Sequence, residues 1–352
     1  MTQKHIAKML RVSPSSVSMA LRGEGRISKE LREKVLALTR KHRITIRERK
    51  NAAAGRVSSP PLRLGYCSVH RVGSTIHVGA FRGMVEQALN QRHEIVLYAV
   101  TLPHGVDLHK AIAEVKAQVL SARLDGLLMD PLVDLVDALD DVPMPKTMIG
   151  YYNFHPERLD AVVPDNSWSG YRLTQELLAQ GHHRIACVRC STREWNSIEK
   201  FEGYRVALAQ AGVPLEPALV VEGDFTWMSG ARCAGKLLAL AEPPTAVLIE
   251  NDWMTGQFVQ GLREAGAAGS RALEEWSLAH IVDSQRETGL PREILRVEPR
   301  TDVMGRLAAR HLMDRISGRA TGEPVTFKVT PVLRPAGPKF ADRKHEFAEE
   351  RV

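Results

Sequence analysis

A chain of 352 residues is too long for one ordinary domain, and its four scattered cysteines exclude a secreted disulfide framework. Its formal net charge of +7 is unevenly distributed: residues 1–60 carry 15 Lys and Arg against 4 Asp and Glu, whereas the remainder carries 33 against 37. A basic head on a mildly acidic body is typical of a nucleic-acid-binding domain joined to a separate second domain.

The first 45 residues predict a small, three-helix DNA-binding domain. A short first helix ends at a tight break at Arg11-Val12, after which Ser13 is a good N-cap and Pro14 occupies the first helical position. A third helix is predicted to begin at the N-cap Ser28. The buried faces are marked by apolar residues at helical spacing: Ile6, Ala7 and Leu10; Val17, Ala20 and Leu21; Leu31, Val35 and Leu38. The first two helices form a helix-turn-helix pattern, for which an ordinary helical hairpin is the alternative.

Residues 46–61 lose this periodicity and predict a basic hinge or linker that ends at Pro60-Pro61. The run is rich in Arg, Lys and Ala. It is expected either to become helical when phosphates neutralise it or to remain a flexible linker.

From residue 62 the chain alternates between short apolar runs and amphipathic stretches. Strands are predicted at 64–69, 95–98, 126–129, 184–188, 246–250, 277–282, 294–297 and 325–332, and helices near 79–92, 107–121, 167–180, 198–211 and 302–317. This order predicts an α/β core of two doubly wound parallel-sheet lobes, with ligands at the carboxyl ends of the strands. Residues 339–352 form a charged tail.

Several function classes find little support in the sequence. Cys187 and Cys190 form a C-x-x-C pair on a predicted buried strand, but a structural zinc site needs four ligands, so no metal or cofactor is expected. We find no nucleophile elbow and no phosphate-binding loop, and therefore expect no enzymatic activity. The polar first helix and the lack of a long apolar run predict a cytoplasmic protein without signal peptide or membrane span.

A series of motifs in this chain resembles the LacI/GalR family of bacterial transcriptional regulators. The resemblance rests on segments that fall in the family's order and spacing: 6–13, 16–18, Asp165-Asn166, 181–186, Glu202-Gly203-Tyr204, Gly223-Asp224-Phe225, Ser229-Gly230, Asn251-Asp252 and 262–266. It implies an all-α helix-turn-helix headpiece (1–45), a hinge (46–61) and a periplasmic-binding-protein-like core (62–338). The core is expected to divide into an N-lobe of about 62–161 and 292–322 and a C-lobe of about 162–291 and 323–338.

The resemblance also implies which residues contact DNA, and here the chain departs from the family pattern. The expected DNA-binding residues are Ser13, Pro14, Ser15, Ser16, Ser18, Met19, Arg22, Arg47, Arg49, Lys50 and Ala53. Arg11 stands where the family usually has Gly, and Met19 and Arg22 stand where it usually has Arg and Asn. Ala53 replaces a Leu that wedges into the minor groove, so we expect weaker operator bending and a larger share of phosphate contacts.

The implied effector-binding residues are Ile76, His77, Tyr151, Lys200, Phe225, Asn251 and Asp283. Lys200 replaces a family Arg, Phe225 matches a stacking position, and Val282 and Tyr151 stand where acids are frequent. Trp195 and Trp253 are further candidates for stacking. Loss of two acids with retention of Lys200 favours a sugar derivative that bears a carboxylate or phosphate over a standard neutral hexose. For each residue, a purely structural role in the core or on the surface is the alternative.

The prediction is therefore a homodimeric repressor, without cofactor and without contact to a membrane, that binds double-stranded operator DNA under control of a small carbohydrate-type effector. Two half-sites require two headpieces, which is why a dimer is expected. A solute-binding protein without a role on DNA is the alternative, but a basic headpiece has no use in transport.

Overall fold

A computed structural model describes residues 60–71, 77–102, 107–150, 158–224, 228–282 and 294–335, together with isolated residues among the first 35. The chain divides into two compact units, Met1–Pro60 and Pro61–Val352. In the first unit Val17 and Val35 are buried. The N–H of Leu31 donates to Ser28 Oγ at 3.2 Å, the contact expected of an N-cap at Ser28.

The second unit contains two sheets of six strands each. The strands are β1 Arg63–Arg71, β2 Glu94–Leu102, β3 Gly126–Met129, β4 Lys146–Ile149, β5 Asp160–Pro164, β6 Ile185–Arg189, β7 Val220–Glu222, β8 Ala246–Ile249, β9 Ser277–Ile281, β10 Leu295–Glu298, β11 Thr326–Val329 and β12 Val332–Arg334. The helices are α1 His77–Asn90, α2 Leu108–Ser121, α3 Val133–Ala138, α4 Asn166–Ala179, α5 Trp195–Gln210, α6 Ser229–Leu238, α7 Asp252–Glu264, α8 Gly266–Glu275 and α9 Thr301–Ile316.

The N-lobe is built on the sheet β11-β5-β4-β3-β1-β2, in which every pairing is parallel. The C-lobe is built on β12-β10-β9-β8-β6-β7, parallel except for the β10–β12 pair. Each sheet has a hydrophobic cluster on both faces. Strands covered on both faces must be apolar throughout, which is why the short, continuous runs at 126–129 and 246–249 identify them.

Three chain segments cross from one lobe to the other, and they correct the lobe boundaries expected from the sequence. The segment 295–298, expected in the N-lobe, pairs in the C-lobe sheet as β10. The predicted single strand 325–332 is two strands: β11 pairs with β5 in the N-lobe, although 323–338 is expected in the C-lobe, and β12 pairs with β10 in the C-lobe. Pairing partners are distant in sequence, so the local pattern cannot assign a strand to a sheet.

The structure also contains elements that the sequence pattern does not predict. These are the short strands β4, β5 and β7 and the helices α3, α6, α7 and α8. The three strands span only three to five residues, too few for their periodicity to stand out.

Helix ends in the core follow ordinary capping chemistry. Asp165 precedes α4 and accepts a hydrogen bond from the Trp168 N–H at 3.0 Å, and Asp107 caps α2 in the same way. The helix predicted near 167–180 is confirmed: α4 ends at Ala179, and Gly181 beyond it has φ of 89°, a conformation that favours glycine.

Two polar clusters connect elements that are distant in the sequence. In the N-lobe Arg315 of α9 makes a two-pronged ion pair with the buried Asp160 of β5, with both N–O distances 2.7 Å. Between the lobes, Lys328 Nζ of β11 lies 2.6 Å from Glu199 Oε1 of α5, and Asn166 Nδ2 donates to the other oxygen at 3.2 Å. Glu199 thus joins the two lobes directly beside the predicted site residue Lys200.

Candidate functional site

Polar side chains collect at the carboxyl ends of β6 and β8, two neighbouring strands of the C-lobe sheet. Arg189 ends β6, and Glu250 and Asn251 follow β8 directly. Helix α5 brings Ser197 and Lys200 to the same place. All five residues are at least nine-tenths buried. Because ligands of parallel α/β folds bind at this edge of the sheet, the cluster is the candidate site.

Lys200 is the predicted site residue whose placement is best determined. Its side chain is 1% exposed, and its ammonium group donates to the backbone oxygen of Glu250 at 3.0 Å. The backbone of Lys200 is held by close packing of α4 against α5: a Cβ at Gly170 would lie 1.9 Å from the Lys200 carbonyl oxygen. Only glycine therefore allows this approach of the two helices.

Glu250 is a fully buried carboxyl group that the sequence pattern does not single out. Its Oε2 accepts hydrogen bonds from the Cys190 N–H at 2.9 Å and from the Ser197 hydroxyl. Its Oε1 lies 3.9 Å from Arg189 Nε. Burial raises the pKa of Glu250 from the ordinary 4.5 to about 7, although Lys200, these hydrogen bonds and Arg189 act in the opposite direction.

Asn251 caps the helix that follows it. Its Oδ1 accepts from the Met254 N–H at 2.7 Å, and its Nδ2 donates to Cys190 Sγ at 3.0 Å. These bonds fix the side chain at the start of α7. Cys190 belongs to the C-x-x-C pair, and both of its cysteines are buried and outside any disulfide bond. Burial raises the pKa of Cys187 well above the ordinary thiol value, which favours an inert thiol.

His280 lies on β9, where its register partner is Ile249, so its side chain points to the opposite face of the sheet from Glu250. It is 3% exposed, and burial lowers its pKa to about 4 despite the nearby carboxylate of Asp252, so the ring is neutral at pH 7. Neither ring nitrogen has a hydrogen-bond partner among the described residues.

The N-lobe contributes one comparable group, at the carboxyl end of β3. Asp130 is buried, and its Oδ1 accepts a hydrogen bond from the Tyr66 hydroxyl at 2.6 Å. The motifs of the sequence do not include it. Asp130, like Glu250 and Arg189, ends or directly follows a short buried strand, and that position is a signal available in the sequence.

The other predicted effector residues are not placed. Ile76, Tyr151, Phe225 and Asp283 lie outside the described residues, and His77 begins α1 while its side chain lies outside the description. Trp195 and Trp253 are each 38% exposed, at the first turns of α5 and α7.

Of the predicted DNA-binding residues only Ser13 is described. It is exposed, and its carbonyl oxygen accepts from the Val17 N–H at 3.2 Å, as in a first helical turn. The remaining DNA-binding predictions lie outside the described residues: Pro14, Ser15, Ser16, Ser18, Met19, Arg22, Arg47, Arg49, Lys50 and Ala53.

Neither a metal centre nor a membrane span is present in the described part of the chain. It holds no group of three or more His, Cys, Asp or Glu side chains arranged to bind a metal ion. None of its helices combines the length and apolar character needed to cross a bilayer.

Comparison with known proteins shows that this chain is similar to several transcriptional regulators. A family model described as a periplasmic binding protein-like domain matches residues 174–335. The HTH-type transcriptional regulator CelR of Thermobifida fusca is 29% identical over 333 residues, 92% of this chain and 94% of that protein. The HTH-type transcriptional repressor CytR of Escherichia coli K12 is 25% identical over 336 residues, 91% of each.

Among solved structures, a complex of the transcriptional regulator CelR with cellobiose matches with a TM-score of 0.64 at 25% identity. The match covers 96% of this chain and 99% of that one.

Proposed function

We propose that this chain, a member of the LacI/GalR family of bacterial transcriptional regulators, represses transcription by binding operator DNA under the control of a small carbohydrate-type effector. One observation carries the proposal: the same chain joins a strongly basic, helix-turn-helix-patterned head to a two-lobed core with a buried polar site at its strand ends. Its relatives CelR and CytR are HTH-type transcriptional regulators, which supports a regulatory and not an enzymatic function for this chain.

We assign DNA binding to residues 1–45 and to the basic hinge at 46–61. The base-contacting surface is proposed to consist of Ser13, Pro14, Ser15, Ser16, Ser18, Met19 and Arg22. It offers few groups that can make bidentate hydrogen bonds to bases, so phosphate contacts from Arg47, Arg49 and Lys50 supply a large share of the affinity. The chain acts as a homodimer on two half-sites, in the cytoplasm where its operator lies.

We assign effector binding to the space between the lobes, with Lys200 and Asn251 on the C-lobe side. Ile76, His77, Tyr151, Phe225 and Asp283 complete the proposed set. The supporting geometry is that Glu199, which forms the lobe-joining ion pair with Lys328 of β11, precedes Lys200 directly on α5. A ligand that draws the lobes together changes the position of that helix relative to β11, and this couples the site to the arrangement of the dimer.

A mobility-shift titration with the full-length protein and the DNA flanking its own gene tests the proposal. We expect a specific complex whose association constant falls about a thousandfold between 50 and 200 mM salt, because several phosphates are contacted. Lys50→Gln is expected to lower the slope of log affinity against log salt by about one, because one phosphate is no longer neutralised. Addition of sugars from a panel should change the affinity. Binding that barely responds to salt, or to any sugar, contradicts the assignment.

A further inference from the structure

Arg189 and Glu250 form a side-by-side pair because of strand register. Val188 of β6 is paired with Ile249 of β8, so the residues that follow them lie next to each other and point to the same face of the sheet. That face is covered by α5: the Arg189 guanidinium lies 4.2 Å from the ring centroid of Phe201, and Ser197 donates to Glu250. The pair therefore lies directly beside Lys200.

The hydrogen-bonding capacity of the Arg189–Glu250 pair is only partly satisfied. Glu250 Oε2 has two donors, whereas Glu250 Oε1 and Arg189 Nε have no hydrogen-bond partner among the described residues. The two atoms are 3.9 Å apart, beyond hydrogen-bond range, and both are buried. A buried donor and a buried acceptor left unpaired are costly to folding. A single hydroxyl group between them can accept from Arg189 and donate to Glu250.

Glu250 also changes the charge balance on which the expectation of an anionic effector depends. That expectation follows from the loss of two acids near Lys200, but the structure places a carboxylate beside both Lys200 and Arg189. With a pKa of about 7, Glu250 is mostly ionised at pH 8, and its Oε2 accepts from an N–H and an O–H. An effector carboxylate or phosphate in this position would meet a like charge at short range.

We propose that Glu250 is a specificity-determining residue of the effector site: with Arg189 it binds one hydroxyl of a neutral sugar, and it disfavours sugar carboxylates and phosphates. The inference rests on the proposed effector function and names the ligand class of that same site.

The test compares neutral and anionic members of matched sugar pairs by titration calorimetry on the full-length protein at pH 8, where Glu250 is ionised. The probes are cellobiose with cellobionate and glucose with glucuronate. We expect the wild type to favour the neutral member by about tenfold or more, the scale of one charge-assisted hydrogen bond. Glu250→Gln should lower affinity for the neutral member and reduce this preference by about tenfold or more, since the amide carries no charge to repel an acid.

The control is Glu222→Gln, which removes an exposed carboxylate at the end of the neighbouring strand β7 and should leave the preference unchanged. Ser197→Ala keeps the carboxylate but removes one of its donors, and should shift the preference in the same direction. It serves as the second variant if Glu250→Gln does not fold, as judged by melting.

Three outcomes overturn the inference: a wild type that prefers the acids, a Glu250→Gln variant that weakens both members equally, and no binding of either neutral sugar. The DNA-binding titration separates these results from failure of the proposed function. A protein whose operator complex responds to other sugars, but without the Glu250-dependent preference, retains the function and loses only this inference.

Discussion

The packing of α4 against α5 leads to a sharp prediction for Gly170→Ala. The added Cβ would lie 1.9 Å from the backbone oxygen of Lys200 and 2.9 Å from its carbonyl carbon. Both atoms belong to the backbone of a helix, so no side chain can rotate away to relieve the contact. The two helices must separate by about 1 Å or more, in an interior that is packed like a crystal.

This separation is expected to cost about 3 kcal/mol, the upper part of the range for overpacked cores. A loss of that size corresponds to a fall in melting temperature of about 5 °C for a core of this length. Because the clashing group is the Lys200 carbonyl, the displacement also moves the Lys200 ammonium away from the Glu250 backbone oxygen. We therefore expect weaker effector binding as well as lower stability.

Thermal melting and effector titration on the same preparations measure both effects. The matched control is Gly235→Ala in α6, where an added Cβ meets nothing within 4 Å. That substitution should stabilise the protein by about 0.5–1 kcal/mol through helix propensity. A Gly170→Ala variant that melts within about 1 °C of the wild type would refute the argument, since it would show that the helices can separate without measurable cost.

Two further predictions follow from buried charges. Arg315→Ala should cost about 3–5 kcal/mol in chemical denaturation, because it leaves the Asp160 carboxylate buried without its main partner; a loss below about 1 kcal/mol would show that solvent replaces the guanidinium. Glu250 has a folded-state pKa of about 7 against the ordinary 4.5, so the unfolded chain releases this proton first and stability falls as pH rises from about 4.5 to 7. Relative to Glu250→Gln, the wild type should lose about 3 kcal/mol over this interval, at about 1.4 kcal/mol per tenfold change in proton affinity, and parallel pH profiles of the two proteins would contradict the raised pKa.

Much of the core architecture follows from local pattern. The parallel α/β class is predictable because strands buried on both faces must be apolar along their whole length, as in Gly126–Met129. Helix ends are predictable for a similar reason, since Asp165 and Gly181 act on backbone groups only a few residues away. The series of family motifs adds the two-lobed arrangement, because those residues keep their order and spacing along the chain.

The lobe boundaries could not be obtained in this way. The segment 325–332 has one continuous pattern, but its two halves pair with strands of different sheets. Their partners, Ala161–Pro164 and Arg296–Glu298, are far apart in the sequence and distinguishable only in the folded chain. Which sheet a strand joins is a tertiary property.

The same distinction applies to the candidate site. The sequence by itself predicted Lys200 and Asn251 as site residues and the carboxyl ends of the strands as the place to find a ligand. It did not reveal that the Glu250 carboxylate lies beside Arg189 and close enough to Lys200 to interact with its charge. These residues lie 61 and 50 positions away and meet only through the register of β6 with β8 and the packing of α5. Charge balance in a buried site depends on distances between non-local groups, and only the tertiary structure decides those distances.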